Sequence, residues 1–140
     1  MPLKISSQQL VDQAMREVKT YSAAEVKSKM TTDKSVLLVD IRDIRELQTA
    51  DGTPVGSMHA PRGMLEFWVD PASPYHKSIW ADEGKEFVLF CGLGWRSALT
   101  AKTLQDMGLT NVAHIEGGLP AMKEAGFTME TLEQRKASKG

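Results

Sequence analysis

The sequence predicts an α/β domain built on a mostly parallel sheet with helices on both faces. Three observations carry this. The runs Val36–Val39 and Phe87–Phe90 are solidly apolar, Val112–Ile115 is apolar except for His114, and all three are of strand length, as in strands covered on both sides. Helical stretches alternate with them, the order that makes parallel sheets. The chain has 140 residues, 41% of them hydrophobic, enough for one packed domain and too apolar for a disordered one.

The elements follow in order. Ser6 or Ser7 caps a helix whose apolar positions are Leu10, Val11, Ala14, Met15 and Val18, the spacing of one buried face. Ser22 and Glu25 form a capping box, opening a second helix that runs to about Met30. The strand Val36–Val39 ends at Asp40. Residues 52–56 read as a loop, Ser57 to Ala60 as a short strand, and Pro61 and Gly63 as its break. Met64, Leu65, Phe67 and Trp68 can form a short helix. The stretch to Gly84 is a long surface connection whose aromatics anchor to the body, with a lid as the alternative.

The last third is clearer. The strand Phe87–Phe90 leads into a tight turn, Cys91 to Arg96, and Ser97 opens a helix that Gly108 closes. After Val112–Ile115, Gly117 and Gly118 turn the chain into a helix with Pro120 at its start and Gly126 at its end. The expected organisation is an N-terminal helix over 1–19, a domain over 20–127 and a polar, fraying tail over 128–140.

Composition excludes several function classes. Seventeen basic and eighteen acidic residues leave a net charge of −1, which gives neither a nucleic-acid footprint nor attraction to an anionic membrane. No signal-peptide core and no apolar run of spanning length is present, so the expected compartment is the cytoplasm, where a lone thiol stays reduced. Cofactor motifs are lacking, and no metal site is expected. The single cysteine, Cys91, can form neither an internal disulfide nor a cysteine-rich zinc site.

The surroundings of Cys91 are informative. It follows a buried parallel strand, where α/β sheets gather their ligand sites. Gly92 and Gly94 let the backbone turn tightly around the sulfur. Successive N–H groups can then point inward, the following helix adds a partial positive charge, and Arg96 adds a full one. All three favour a thiolate. The alternative, an inert buried thiol, would leave Gly92, Gly94 and Arg96 as coincidences.

Cys91-Gly92-Leu93-Gly94-Trp95-Arg96-Ser97 resembles the active-site loop Cys-x-x-Gly-x-Arg-Ser of single-domain rhodaneses. Leu37 to Arg42 is similar to the family's apolar run ending Asp-x-Arg, Gly56 to Pro61 to its Gly-Ala-x-(Asn/His)-x-Pro stretch, and Ile115 to Gly118 with Ala121 to its late Gly-Gly element. The four motifs fall in the family's order. Met122 stands where the family commonly carries Trp.

The resemblance implies a central five-stranded parallel sheet with helices on both faces. It also implies sulfurtransferase chemistry without a cofactor. Cys91 would be the nucleophile and sulfur carrier, taking sulfur from a small anionic donor such as thiosulfate and passing it to a thiol or cyanide. The N–H groups from Gly92 to Ser97 would stabilise the sulfur anion, Arg96 would add charge, and Leu93 and Trp95 belong to the same loop, Trp95 at the pocket rim. Asp40 and Arg42 would brace the loop, contact substrate or form a structural ion pair. Arg62 would attract the donor.

Four other readings stand beside this one. A relay or sensor module would exchange persulfide sulfur with a partner protein and turn over little. A phosphatase of the same fold would need five residues between Cys and Arg, where this loop has four, Gly92 to Trp95. An arsenate-reductase-like enzyme would need an external resolving thiol. A cysteine protease would need His59, His76 or His114 beside Cys91.

Overall fold

The structure is a computed structural model that describes residues 2–139. A five-stranded, all-parallel sheet forms its centre. The strands are β1 (Thr20–Tyr21), β2 (Val36–Asp40), β4 (Met58–His59), β5 (Glu86–Phe90) and β6 (Val112–Ile115), in the order β1-β6-β5-β2-β4. The α/β class and the five parallel strands therefore hold. Strand β1 was not expected from the sequence, because two residues are too few for periodicity to show.

Two helical layers cover the sheet, and the pleat of β5 sorts its side chains between them. Phe87, Leu89 and Cys91 face a cluster with Ala101 and Leu104 of α5 (Trp95–Asp106). On the same side lie α1 (Ser7–Glu17), packed on α5, and α4 (Leu65–Val69). Val88 and Phe90 face a second cluster with Val26 of α2 (Ala23–Thr32) and Met122 of α6 (Gly118–Glu124). Phe87 and Phe90 are both fully buried, and each such side chain contributes roughly 1.5–3 kcal/mol of hydrophobic stabilisation. Met122 is also fully buried, so it fills a core position where the family commonly carries Trp.

Local expectations fare unevenly. Ser6 and Ser22 cap α1 and α2 through complete capping boxes. Leu10 remains 44% exposed, so the buried face of α1 is narrower than its apolar positions suggested. The long connection does anchor through its aromatics. Trp80 is buried in a 3-10 turn (Ser78–Ala81) and stacks on Phe87 at 4.4 Å, and the Trp68 carbonyl accepts from the Lys77 N–H. Phe67 is left half exposed.

The predicted loop at 52–56 and fraying tail instead meet. Thr53–Pro54 forms β3, which pairs antiparallel with β7 (Met129–Glu130), and α7 follows over Leu132–Lys139. Pro54 is tolerated because this ribbon is only two strands wide. The overlooked signal is a capping box. The Gln134 N–H donates to Thr131 Oγ1 at 3.1 Å, and Gln134 Oε1 accepts from the Thr131 N–H at 2.8 Å. Arg135 on α7 then donates to the Pro54 carbonyl and to Ser57 Oγ, fastening the tail to the body.

Candidate active site

Strand β5 lies at the centre of the sheet and delivers Cys91 to its carboxyl edge. Gly94 then takes φ +92° and caps α5, which starts at Trp95, two residues earlier than expected. Trp95, Arg96 and Ser97 therefore form the first helical turn, whose N–H groups have no partner within the helix. The Gly94 N–H donates to Cys91 Sγ at 3.1 Å and the Ser97 N–H at 3.4 Å. Only Gly94 supplies the left-handed conformation. Gly92 does not have positive φ, and a Cβ there would meet Arg96 Nη2 at 3.1 Å.

The start of α6 closes the loop from the other side. The Leu119 N–H donates to the Cys91 carbonyl at 3.0 Å, and a Cβ on Gly118 would lie 2.5 Å from the Gly92 carbonyl oxygen. That contact accounts for the second glycine of the Gly117-Gly118 pair. Pro120 is the third residue of α6 rather than the first, still within the turn whose N–H groups are free.

Arg96 does not place an unshared charge on the sulfur. Its Nη1 and Nη2 donate to Glu46 Oε1 and Oε2 at 2.7 and 3.0 Å. Glu46 lies on α3 (Ile44–Leu47), where the Asp43–Glu46 capping box sets it. The guanidinium holds the Glu46 carboxyl below its usual range. Sequence reasoning missed Glu46, although that box directly after a strand was a visible signal.

Asp40 and Arg42 form a buried ion pair that braces a different loop. Arg42 Nη2 donates to Asp40 Oδ2 at 2.8 Å and to the Gly52 carbonyl at 2.8 Å. The Thr53 hydroxyl donates to Asp40 Oδ2 at 2.7 Å. The pair thus ties the end of β2 to the chain entering β3. Its hydrogen bonds go to Gly52 and Thr53 and not to the Cys91 loop.

Behind the sulfur lies a buried polar chain. Ser97 Oγ donates to the Gly94 carbonyl at 3.2 Å and lies 3.0 Å from His114 Nδ1. His114 Nε2 lies 3.0 Å from Thr20 Oγ1, on the neighbouring strand. Burial pushes the His114 imidazole down to about 4 from 6.5.

The sign of the stability effect follows. The folded state refuses a proton that the unfolded chain accepts. Stability from neutral His114 is therefore complete above about pH 6.5 and is lost as pH falls towards 4, a loss of about 3 kcal/mol. Urea unfolding near pH 7 and near pH 4.5 checks this: the wild type should lose roughly 2–3 kcal/mol more than His114→Asn. An equal loss in both proteins refutes the assignment.

A Rhodanese-like domain model matches residues 22–125. The chain belongs to the rhodanese-like family. Its relatives include YtwF of Bacillus subtilis (strain 168), provisionally named a sulfurtransferase, which is 30% identical over 75% of this chain and 90% of its own length. A solved structure from Rhodopseudomonas palustris CGA009, of unknown function and described as a possible tyrosine phosphatase, is 46% identical. It covers 93% of this chain and 98% of its own, with a TM-score of 0.86. The thiosulfate sulfurtransferase of Pseudomonas aeruginosa shares the fold, with a TM-score of 0.73 at 21% identity, over 89% of this chain and 22% of its own.

In this rhodanese-like protein Cys91 is only 1% exposed, whereas Leu93 and Trp95, on either side of Gly94, are each 57% exposed. Arg62 lies in a 3-10 turn (Arg62–Met64) and lines a cleft with Glu66, Thr100 and Leu104. The largest described cleft lies at the opposite end of the sheet, near Trp80 and Asn111. His59 Nε2 lies 2.8 Å from the Arg42 carbonyl, and His76 Nδ1 lies 2.9 Å from that of Trp68. His114 bonds Ser97 and Thr20, so each histidine of a protease reading is engaged elsewhere than at the sulfur. Among the described residues no His/Cys/Asp/Glu group could hold a metal ion, and no helix is long and apolar enough to cross a membrane.

Proposed function

We propose that this rhodanese-like protein is a sulfurtransferase that carries sulfane sulfur as a persulfide on Cys91. The donor is thiosulfate or a related small anion, and the acceptor is a thiol or cyanide. The supporting observation is the sulfur cradle: two backbone N–H groups converge on Cys91 Sγ while both terminal nitrogens of Arg96 bind Glu46. That arrangement suits one negative sulfur atom.

The chemistry has two half-reactions. The Cys91 thiolate attacks the outer sulfur of the donor. A new S–S bond forms, the donor's S–S bond breaks, and its electron pair leaves with sulfite. The acceptor then attacks the outer sulfur of the persulfide and restores the thiolate. The Gly94 and Ser97 N–H groups, with the positive end of α5, stabilise the anionic sulfur throughout. A protein thiol can serve as acceptor, and a protein persulfide as donor, by the same steps, the donor's own thiolate leaving in place of sulfite.

The description of the Rhodopseudomonas relative raises a phosphatase reading. A phosphoryl group needs a guanidinium free to grip its oxygens. Here the loop is one residue shorter than a phosphatase requires, and Arg96 is already paired.

Intact mass spectrometry tests the proposal. Thiosulfate should add ~32 Da to the protein, and cyanide should remove it with release of thiocyanate. Absence of the adduct, with hydrolysis of an aryl phosphate, overturns it in favour of a phosphatase. An adduct that small acceptors fail to discharge replaces it with a relay module serving a protein partner.

A further inference from the structure

Both donors to Cys91 Sγ come from residues that a single hydroxyl ties together. Ser97 supplies one N–H to the sulfur, and Gly94 supplies the other. Ser97 Oγ reaches back to the Gly94 carbonyl and is itself held from below by His114 Nδ1. Ser97 and His114 are both fully buried, so no water competes for these contacts.

The proton arrangement can be assigned from the contacts. With the proton on Nδ1, His114 donates to Ser97 Oγ, leaving the Ser97 hydroxyl to donate to Gly94 and the Thr20 hydroxyl to donate to Nε2. All three contacts are then hydrogen bonds. With the proton on Nε2, the one Ser97 hydroxyl proton would have to choose between His114 and Gly94. Ser97 therefore selects the tautomer, and Thr20, which faces His114 directly in the register of β1 on β6, supplies the hydroxyl that partners the Nε2 left bare.

We propose that His114 is a positioning residue for the sulfur cradle, acting through Ser97, with its ring held in orientation by the Thr20 hydroxyl on Nε2. Its purpose rests on the sulfurtransferase reading; its test does not. The network fixes the hydroxyl that links the two donor residues, so the N–H groups stay aimed at the sulfur before a donor arrives. The imidazole never touches the sulfur.

The test is the alkylation rate of Cys91 by iodoacetamide near neutral pH, with the denatured protein as reference. Losing the Ser97–His114 bond in His114→Leu should slow alkylation about threefold, by destabilising the sulfur anion. In His114→Asn the amide can still donate to Ser97 Oγ from the Nδ1 side, so the rate should recover to within about 1.5-fold of wild type. A merely structural role would lower the thermal midpoint in both variants and leave both rates alone. A folded Leu variant with the wild-type rate overturns the proposal, as does an Asn variant as slow as Leu. Should the Leu variant not fold, Thr20→Val decides: it should slow alkylation in the same direction, and a wild-type rate overturns the proposal. Alkylation uses no sulfur donor, so failure of thiosulfate to load the wild type bears on the proposed function alone.

Discussion

Cys91→Ser protein incubated with thiosulfate gains no ~32 Da adduct and yields no thiocyanate with cyanide. Cys91 is the only cysteine, so no other thiol can take over the sulfur. A serine hydroxyl offers no thiolate, and a persulfide cannot form on oxygen. The substitution should spare the fold. Sγ accepts from the Gly94 and Ser97 N–H groups, and a serine oxygen at the same position can accept from them too. A thermal midpoint within a few degrees of wild type, together with complete loss of the adduct, is the expected pair of results. An adduct that persists in the Ser variant would remove Cys91 from its role as carrier.

Asp40→Ala should be the most destabilising single change near the site. Asp40 is fully buried, and it accepts from the Arg42 side chain, the Arg42 N–H and the Thr53 hydroxyl. Removing the carboxylate leaves the Arg42 guanidinium buried with only the Gly52 carbonyl, an uncompensated charge worth ~3–5 kcal/mol of lost stability. For a chain of this size that corresponds to a fall of about 10–15 °C in Tm, readable by circular dichroism. Replacing both partners, as in Asp40→Leu with Arg42→Met, should cost less than Asp40→Ala alone, because no charge is then stranded. A fall of under ~3 °C in the single variant would show that Arg42 escapes to water and that the pair is not a brace.

The legibility of the site in the sequence was uneven, for reasons particular residues make plain. The nucleophile loop was readable because its constraints are local: a strand end, Gly94 where φ must be positive, and a helix start within six residues of Cys91. The roles of its charged neighbours were not. Arg96 reads in the sequence as a full positive charge at the end of the loop, yet its guanidinium is claimed by Glu46, fifty residues earlier in the chain. For Asp40 and Arg42 the sequence left bracing, substrate contact and an ion pair open, because the partners of the pair, Gly52 and Thr53, lie in a stretch read as a loop. His114 gave no signal beyond a polar residue in an apolar strand. The tail showed a capping box at Thr131 but not the strand Met129–Glu130, since two residues carry no periodicity.

The sequence by itself determined the α/β class, the three longer strands of the sheet and its flanking helices, and the placing of the sole thiol at a strand end. Burial patterns and glycine requirements act over a few residues, so they are written locally. The tertiary structure alone decided which charges neutralise one another, which hydroxyl and imidazole stand behind the sulfur, and how the C-terminal segment docks. Those contacts join residues that are 50 apart for Glu46 and Arg96, 94 for Thr20 and His114, and 78 for Ser57 and Arg135. A hydrogen bond depends on distances of a few tenths of an ångström, and only the packing of strands and helices on one another sets those.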